Sequence, residues 1–161
     1  MRRLVVILAS TMALVAGPLR AADWPRFLGP NGTGISPEKG INKNWKVKPP
    51  RVLWQVPLGD NGFAGPAVAG GRVYIVDHEG ENDVVRALSL ATGKEAWRFS
   101  YRDTARENYG FARATPTVIG GAVYTLSRLG LLHCLDAATG KKKWAVDIIQ
   151  TFNGKRPEWD I

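Results

Sequence analysis

Residues 65–74, Gly-Pro-Ala-Val-Ala-Gly-Gly-Arg-Val-Tyr, return fifty positions later as Thr-Pro-Thr-Val-Ile-Gly-Gly-Ala-Val-Tyr at 115–124. A second block at 87–97, Ala-Leu-Ser-Leu-Ala-Thr-Gly-Lys-Glu-Ala-Trp, returns after 47 positions as Cys-Leu-Asp-Ala-Ala-Thr-Gly-Lys-Lys-Lys-Trp at 134–144. The three-residue difference falls in the acidic loop at 77–83. A period of this length marks stacked units that bury their faces on one another, so one unit alone is not a complete core.

Each unit reads as four short strands. Gly70-Gly71 and Gly120-Gly121 separate β-branched runs, and paired glycines are a two-residue hairpin signal because they accept positive φ without steric cost. A third strand is expected near 84–89 and 131–136. The Thr-Gly-Lys turn, with Gly93 or Gly140 in the left-handed position, then leads into a fourth strand carrying Trp97 or Trp144. Ser89 stands where Asp136 stands in the second copy, so the first turn should be the less firmly locked. The expected fold is all-β: a β-propeller of four-stranded antiparallel blades, with blade 1 at 65–99 and blade 2 at 115–148. Trp97 and Trp144 are expected to be buried at equivalent sites, docking one sheet on the next, with cofactor stacking as the other reading.

Eighteen Gly and ten Pro interrupt the chain too often for long helices. The single cysteine, Cys134, excludes an internal disulfide, zinc fingers and iron–sulfur clusters. Because Cys134 replaces Ala87, it reads as a small core residue before a reactive thiol. Arg2 and Arg3, an apolar run at 4–16 and small residues at Ala21 and Ala22 have the order of a secretory signal, assigned to residues 1–22. That run is short against the ~20 residues of a permanent span. Cleavage after Ala21 places Leu19 at the third position back, and a twin-arginine route is a second option. No cysteine follows the run, so no lipid-attachment site is read. The expected location is periplasmic or extracellular. Removing Arg2, Arg3 and Arg20 from the 22 basic residues leaves 19 against 14 acidic ones, a modest surplus.

The repeat Leu-Asp-Ala-Ala-Thr-Gly-Lys-x-x-Trp, with the preceding Pro-x-Val-x-Gly-Gly-x-Val-Tyr, resembles the pyrroloquinoline-quinone-like β-propeller repeat. The run 23–34, Asp-Trp-Pro-Arg-Phe-Leu-Gly-Pro-Asn-Gly-Thr-Gly, resembles the opening of exported bacterial propellers similar to the outer-membrane protein assembly factor family. Residues 23–50 form an N-terminal extension. Segment 51–59 matches the fourth-strand pattern, with Trp54 in the place of Trp97 but no first three strands before it. It reads as a closure strand for the last blade of a ring, and 149–161 as the start of a connection to a further blade. A propeller has about 4–8 blades, so the chain reads as the opening portion of a protein roughly two to three times longer. Exposed blade edges would favour self-association.

Chemistry is sparse. His78 lies in the acidic loop, which lacks the spacing of a calcium loop and reads as a polar hairpin. His133 corresponds to Arg86 and is read as the solvated side of a strand. Gly29 to Gly34 lacks a following Gly-Lys-Ser/Thr and reads as a turn. Lys141, Lys142 and Lys143 have no interleaved aromatics, which disfavours nucleic acid. The resemblance implies that first strands line a central channel, so the segments entering them would approach its rim. Candidate binding residues there are Asn61, Phe63, Asn108, Tyr109, Phe111 and Arg113, against the plainer reading of inter-blade linkers. Arg113 is the candidate for a carboxylate, since guanidinium makes two parallel bonds to such groups. No catalytic, metal or cofactor residue is assigned. The favoured function is a non-catalytic binding or scaffold module for protein or peptide partners in the cell envelope. The alternative is the N-terminal part of a pyrroloquinoline-quinone-dependent alcohol dehydrogenase.

Overall fold

The computed structural model describes residues 21–59, 62–104 and 110–156. Two four-stranded antiparallel sheets carry the repeat. The first has β1 (Ala67–Ala69), β2 (Arg72–Glu79), β3 (Asn82–Ser89) and β4 (Glu95–Arg102), hydrogen-bonded in that order. The second has β5 (Thr117–Ile119), β6 (Ala122–Leu126), β7 (Leu131–Asp136) and β8 (Lys142–Asp147), followed by a single helical turn, α1 (Ile148–Thr151). These are two blades of a propeller, and the fold is all-β as expected.

The equivalence of the blades extends to their irregularities. Gly70 and Gly71 have φ of 57° and 75°, Gly120 and Gly121 of 57° and 73°, the primed turn that matches strand twist. The third and fourth strands slip register between Ala87 and Leu88 in one blade and between Cys134 and Leu135 in the other. Tyr74, Ala87 and Trp97 are cross-strand neighbours, as are Tyr124, Cys134 and Trp144. Tyrosine and indole centroids lie 5.9 Å apart in both sheets. Cys134 occupies the place of Ala87 and is buried.

Trp97 and Trp54 each pack on the turn of the following unit. Gly140, at φ +72°, lies so close to Trp97 that an added Cβ would meet the indole at 2.6 Å. Trp97 Nε1 donates to Ala137 O at 3.1 Å, and that carbonyl also accepts from Tyr74 Oη and Arg72 Nη1. Trp54 repeats the arrangement one unit earlier. A Cβ on Gly93 would meet its ring at 2.8 Å, and Trp54 Nε1 donates to Leu90 O at 2.8 Å, Leu90 being the counterpart of Ala137. Residues 51–58 form no strand and are held through side chains, including Arg86 Nη1 donating to Pro57 O.

The core therefore sits between the blades: Ala67, Tyr74, Val85, Ala87 and Trp97 pack with Val123, Leu135 and Ala137. Trp97 is 9% exposed, but Trp144 is 44% exposed, which corrects the expectation that both indoles are buried. The cause is positional, because among the described residues no following turn covers Trp144. His133 also departs from expectation. It is 5% exposed, stacked on Tyr101 at 4.3 Å and edge-on to Phe99. His133 faces the fourth strand of blade 1, which covers it, so strand alternation does not give this position a solvated side.

The second turn is locked by Asp136, whose Oδ1 accepts from Ala138 N, Thr139 N and Thr139 Oγ1. Chiefly the Thr139 side-chain and backbone bonds hold the carboxyl below the ordinary aspartate range. A depressed folded value means that the lock contributes fully above the ordinary value and loses its contribution as pH falls through the folded one. In a carboxyl-detected NMR titration, Asp136 is expected to titrate below an ordinary aspartate, and Thr139→Val should move it back up. An unchanged titration would dissociate the turn bonds from the shift.

Candidate functional site

Two connections run side by side into the first strands. Phe63 N and Ala64 N both donate to Ala112 O, at 2.8 and 2.9 Å, which joins the segment entering β1 to the segment entering β5. Between them opens a cavity of about 500 Å³ lined by Phe27, Phe63, Gly65, Arg113, Ala114 and Thr115. Phe63 is 67% exposed and Phe27 71% exposed, so the wall presents two accessible rings, while Nε and Nη2 of the neighbouring Arg113 guanidinium are buried. The two rings can seat an apolar side chain at the cavity mouth, and aromatic and Arg residues are enriched in recognition surfaces.

Phe27 comes from the extension, which turns sharply at Leu28 and Gly29 before leaving the blades. Trp24 fills the space a Cβ on Gly29 would need, at 2.7 Å, and Arg26 donates to the carbonyls of Gly29 and Pro30. Upstream, Trp24 and Val68 exchange two backbone hydrogen bonds at 2.8 and 2.9 Å, and Pro25 O accepts from Val118 N at 2.8 Å. The extension thus crosses the inner edges of both blades. Sequence reasoning missed Phe27, because nothing local in the run 23–34 shows that it will meet Phe63 and Arg113.

Of the residues proposed for the rim, Phe63 and Arg113 meet in this cavity. Phe111 is turned elsewhere, its ring stacked on His78 at 3.8 Å and 3°. Asn61, Asn108 and Tyr109 lie outside the described residues. His78 anchors Phe111 from a buried polar cluster at the β2–β3 hairpin: Nδ1 lies 2.9 Å from Asp83 Oδ1 and Nε2 lies 2.7 Å from Gly80 O. Tyr101 Oη donates to Asp83 Oδ2 at 3.1 Å. Burial, opposed by the His78 bond, raises the Asp83 carboxyl. Beside it, Asp77 Oδ1 accepts from His78 N and Gly59 N, while its Oδ2 takes Arg86 Nη1 at 2.9 Å. Arg86 Nε also reaches Glu95. These charges are used in fixing the hairpin and the connection over it.

Burial also holds the His133 imidazole below its ordinary range, with Lys142 adding to the effect. Among the described residues no group of three or more His, Cys, Asp or Glu could hold a metal ion. Nor is any described helix long and apolar enough to cross a membrane.

Similarity to known proteins runs along the same boundaries as the repeat. A family model described as outer membrane protein assembly factor BamB matches residues 44–105 and 81–160. The chain is 32% identical, over 71% of its length, to the serine/threonine-protein kinase AfsK of Streptomyces griseus, and covers 20% of that protein. It is 28% identical, over 60% of its length, to the outer membrane protein assembly factor BamB of Moranella endobia (strain PCIT), covering 27% of it. The crystal structure of the quinohemoprotein alcohol dehydrogenase from Comamonas testosteroni superposes with a TM-score of 0.62 over 86% of this chain and 21% of that one, at 26% identity. The chain therefore spans between a fifth and about a quarter of the length of these relatives. With the family match running from residue 44 through both blades to residue 160, the chain belongs to the family of the outer membrane protein assembly factor BamB.

Proposed function

We propose that the chain is part of an exported, non-catalytic propeller that binds protein or peptide segments in the cell envelope through the cavity between Phe63 and Arg113. That cavity, with two exposed rings beside a guanidinium, carries the reading. The charged, apolar and small-residue order of residues 1–22 supports export as a leader. Segment 51–59 is assigned to the outer position of a closing blade, because Trp54 already packs on the turn that follows it as Trp97 does. Outer edges β4 and β8 are the ones left for self-association, since the extension pairs with β1 and β5 on the inside.

The likeness to a quinohemoprotein alcohol dehydrogenase favours a second reading as part of such an enzyme. The described residues do not fit a calcium-bound quinone: they offer no group of three or more His, Cys, Asp or Glu that could hold the metal, and Cys134 is a lone buried thiol.

The test pairs binding with turnover. Titration calorimetry with short peptides carrying an apolar side chain beside a free carboxylate should give saturable binding, weakened about tenfold or more by Arg113→Ala, since bonds to charged groups contribute about 1.5–3 kcal/mol. Phe63→Ala should weaken it as well. Alcohol oxidation with an artificial electron acceptor that saturates with added calcium and quinone, without peptide binding, would replace this reading with the dehydrogenase one.

A further inference from the structure

The backbone N–H of Ala22 donates to Glu38 Oε1 at 2.6 Å. Glu38 is sixteen residues downstream, and both groups are exposed. An exposed backbone amide satisfied by water has no need of a distant carboxylate. A free α-ammonium at the same atom would be a matched partner for it. Ala21, Ala22 and Asp23 are all exposed, so the bond between the two alanines is accessible. A cut there has the small Ala21 at the last position and the uncharged but larger Leu19 at the third back, an acceptable though not ideal match to the small-residue pattern of leader removal. Cutting one residue later would put Arg20 at that third position.

The residues just after this bond are already docked. Asp23 Oδ2 accepts from Gly70 N at 3.1 Å, Trp24 pairs with Val68 in β1, and Pro25 O accepts from Val118 in β5. Within four residues the chain stitches the inner edges of both blades, where unpaired strand edges would otherwise be open to other chains. Ala21 and Asp23 also line a cavity against Gly70, Gly71 and Leu90, so this stretch lies along the β1–β2 turn.

We infer that the Ala21–Ala22 bond is a processing site, and that Glu38 receives the α-ammonium that hydrolysis creates at Ala22, pinning residues 22–25 as a clip across β1 and β5. Hydrolysis by a leader peptidase adds one water: the Ala21 carbonyl carbon takes the oxygen and leaves as a carboxylate, and the Ala22 nitrogen takes the protons. An amide hydrogen bond thereby becomes an ion pair at the point where the clip begins. The inference rests on the export reading proposed under the function of the chain.

The test uses the full chain expressed with its leader in a bacterium, recovered from the envelope fraction, as wild type and as Glu38→Gln. Intact mass and N-terminal sequencing give the cut, and NMR of the ¹³C-methylated α-amine gives its titration. The expected mature chain begins at Ala22, and its amine titrates above the ordinary range of about 7.7–8.0 because an opposed carboxylate favours the charged form. Glu38→Gln should lower it. Asp23 and Lys39, the charged sequence neighbours, are the same in both proteins, so the difference reports Glu38. Val68 and Val118 amides, which donate to the clip, should exchange faster in the variant. A chain that keeps residues 1–20 overturns the inference together with the export reading. One that begins at another residue overturns the processing site while export stands. A chain that begins at Ala22 with the same amine titration in both proteins overturns the role of Glu38 alone.

Discussion

Trp97→Ala is expected to destabilise the chain by about 3–5 kcal/mol, the range for removing a buried large aromatic, while Trp144→Ala should cost about 1 kcal/mol, near the centre of ordinary substitutions. The two residues occupy equivalent fourth strands, with equivalent register partners in Ala87 and Cys134 and equivalent tyrosine neighbours in Tyr74 and Tyr124. They differ in what lies beyond them. Trp97 is 9% exposed and covers the turn at Gly140, whereas Trp144 is 44% exposed. Removing Trp97 also takes a donor from the Ala137 carbonyl, although Tyr74 and Arg72 still reach it. Urea unfolding of the two variants measures the difference directly. Equal costs would mean that docking on the following turn contributes nothing beyond packing within the sheet.

Gly140→Ala should cost about 2–5 kcal/mol, whereas Gly120→Ala should cost about 1–2. Both glycines have positive φ, +72° and +57°, which an L-residue adopts at a cost of about 1–2 kcal/mol. Only Gly140 adds a steric conflict, with the Trp97 ring 2.6 Å from the new Cβ; nothing lies within 4 Å at Gly120. Overpacking a filled site costs about a further 1–3 kcal/mol. The indole lies between blades, so the conflict should separate them before it unfolds either. Thermal unfolding of both variants checks the ranking. The double variant Gly140→Ala with Trp97→Ala should cost less than the sum of its parts, because the added methyl then enters vacated space. Full additivity would show that the glycine is required for its backbone alone.

The repeat made the two blades legible because turn chemistry is local. Gly70-Gly71, Gly120-Gly121 and the Thr-Gly-Lys turns state their conformation within a few residues, and the 47-residue offset carries the register slip from Ala87 to Cys134. Exposure at Trp144 was not legible, because it depends on what stacks next and not on the residue's own strand. His133 misled for a related reason. Its counterpart Arg86 is charged, yet Arg86 is itself buried against Asp77, Glu95 and Pro57 O. Both positions face the preceding unit, Tyr101 of blade 1 in one case and the Trp54 segment in the other. At the candidate site, guanidinium and ring could be named at Arg113 and Phe63, but Phe27 arrives by a long-range fold-back that no local pattern encodes. Phe111 left the rim because His78 offers it a parallel ring.

Trp54 and Trp97 each dock on the glycine turn of the following unit, so that Trp54 stands to blade 1 as Trp97 stands to blade 2. Proton NMR of the chain tests this most directly, since glycine Hα protons held against an indole face are displaced upfield by the ring current. Gly93 and Gly140 are both expected to be displaced, with cross-peaks to Trp54 and Trp97 respectively, while Gly120 is not. Trp54→Leu should restore Gly93 and leave Gly140 unchanged. Gly93 at an ordinary shift, with no contact to Trp54 while Gly140 is displaced, would contradict the equivalence of the two units.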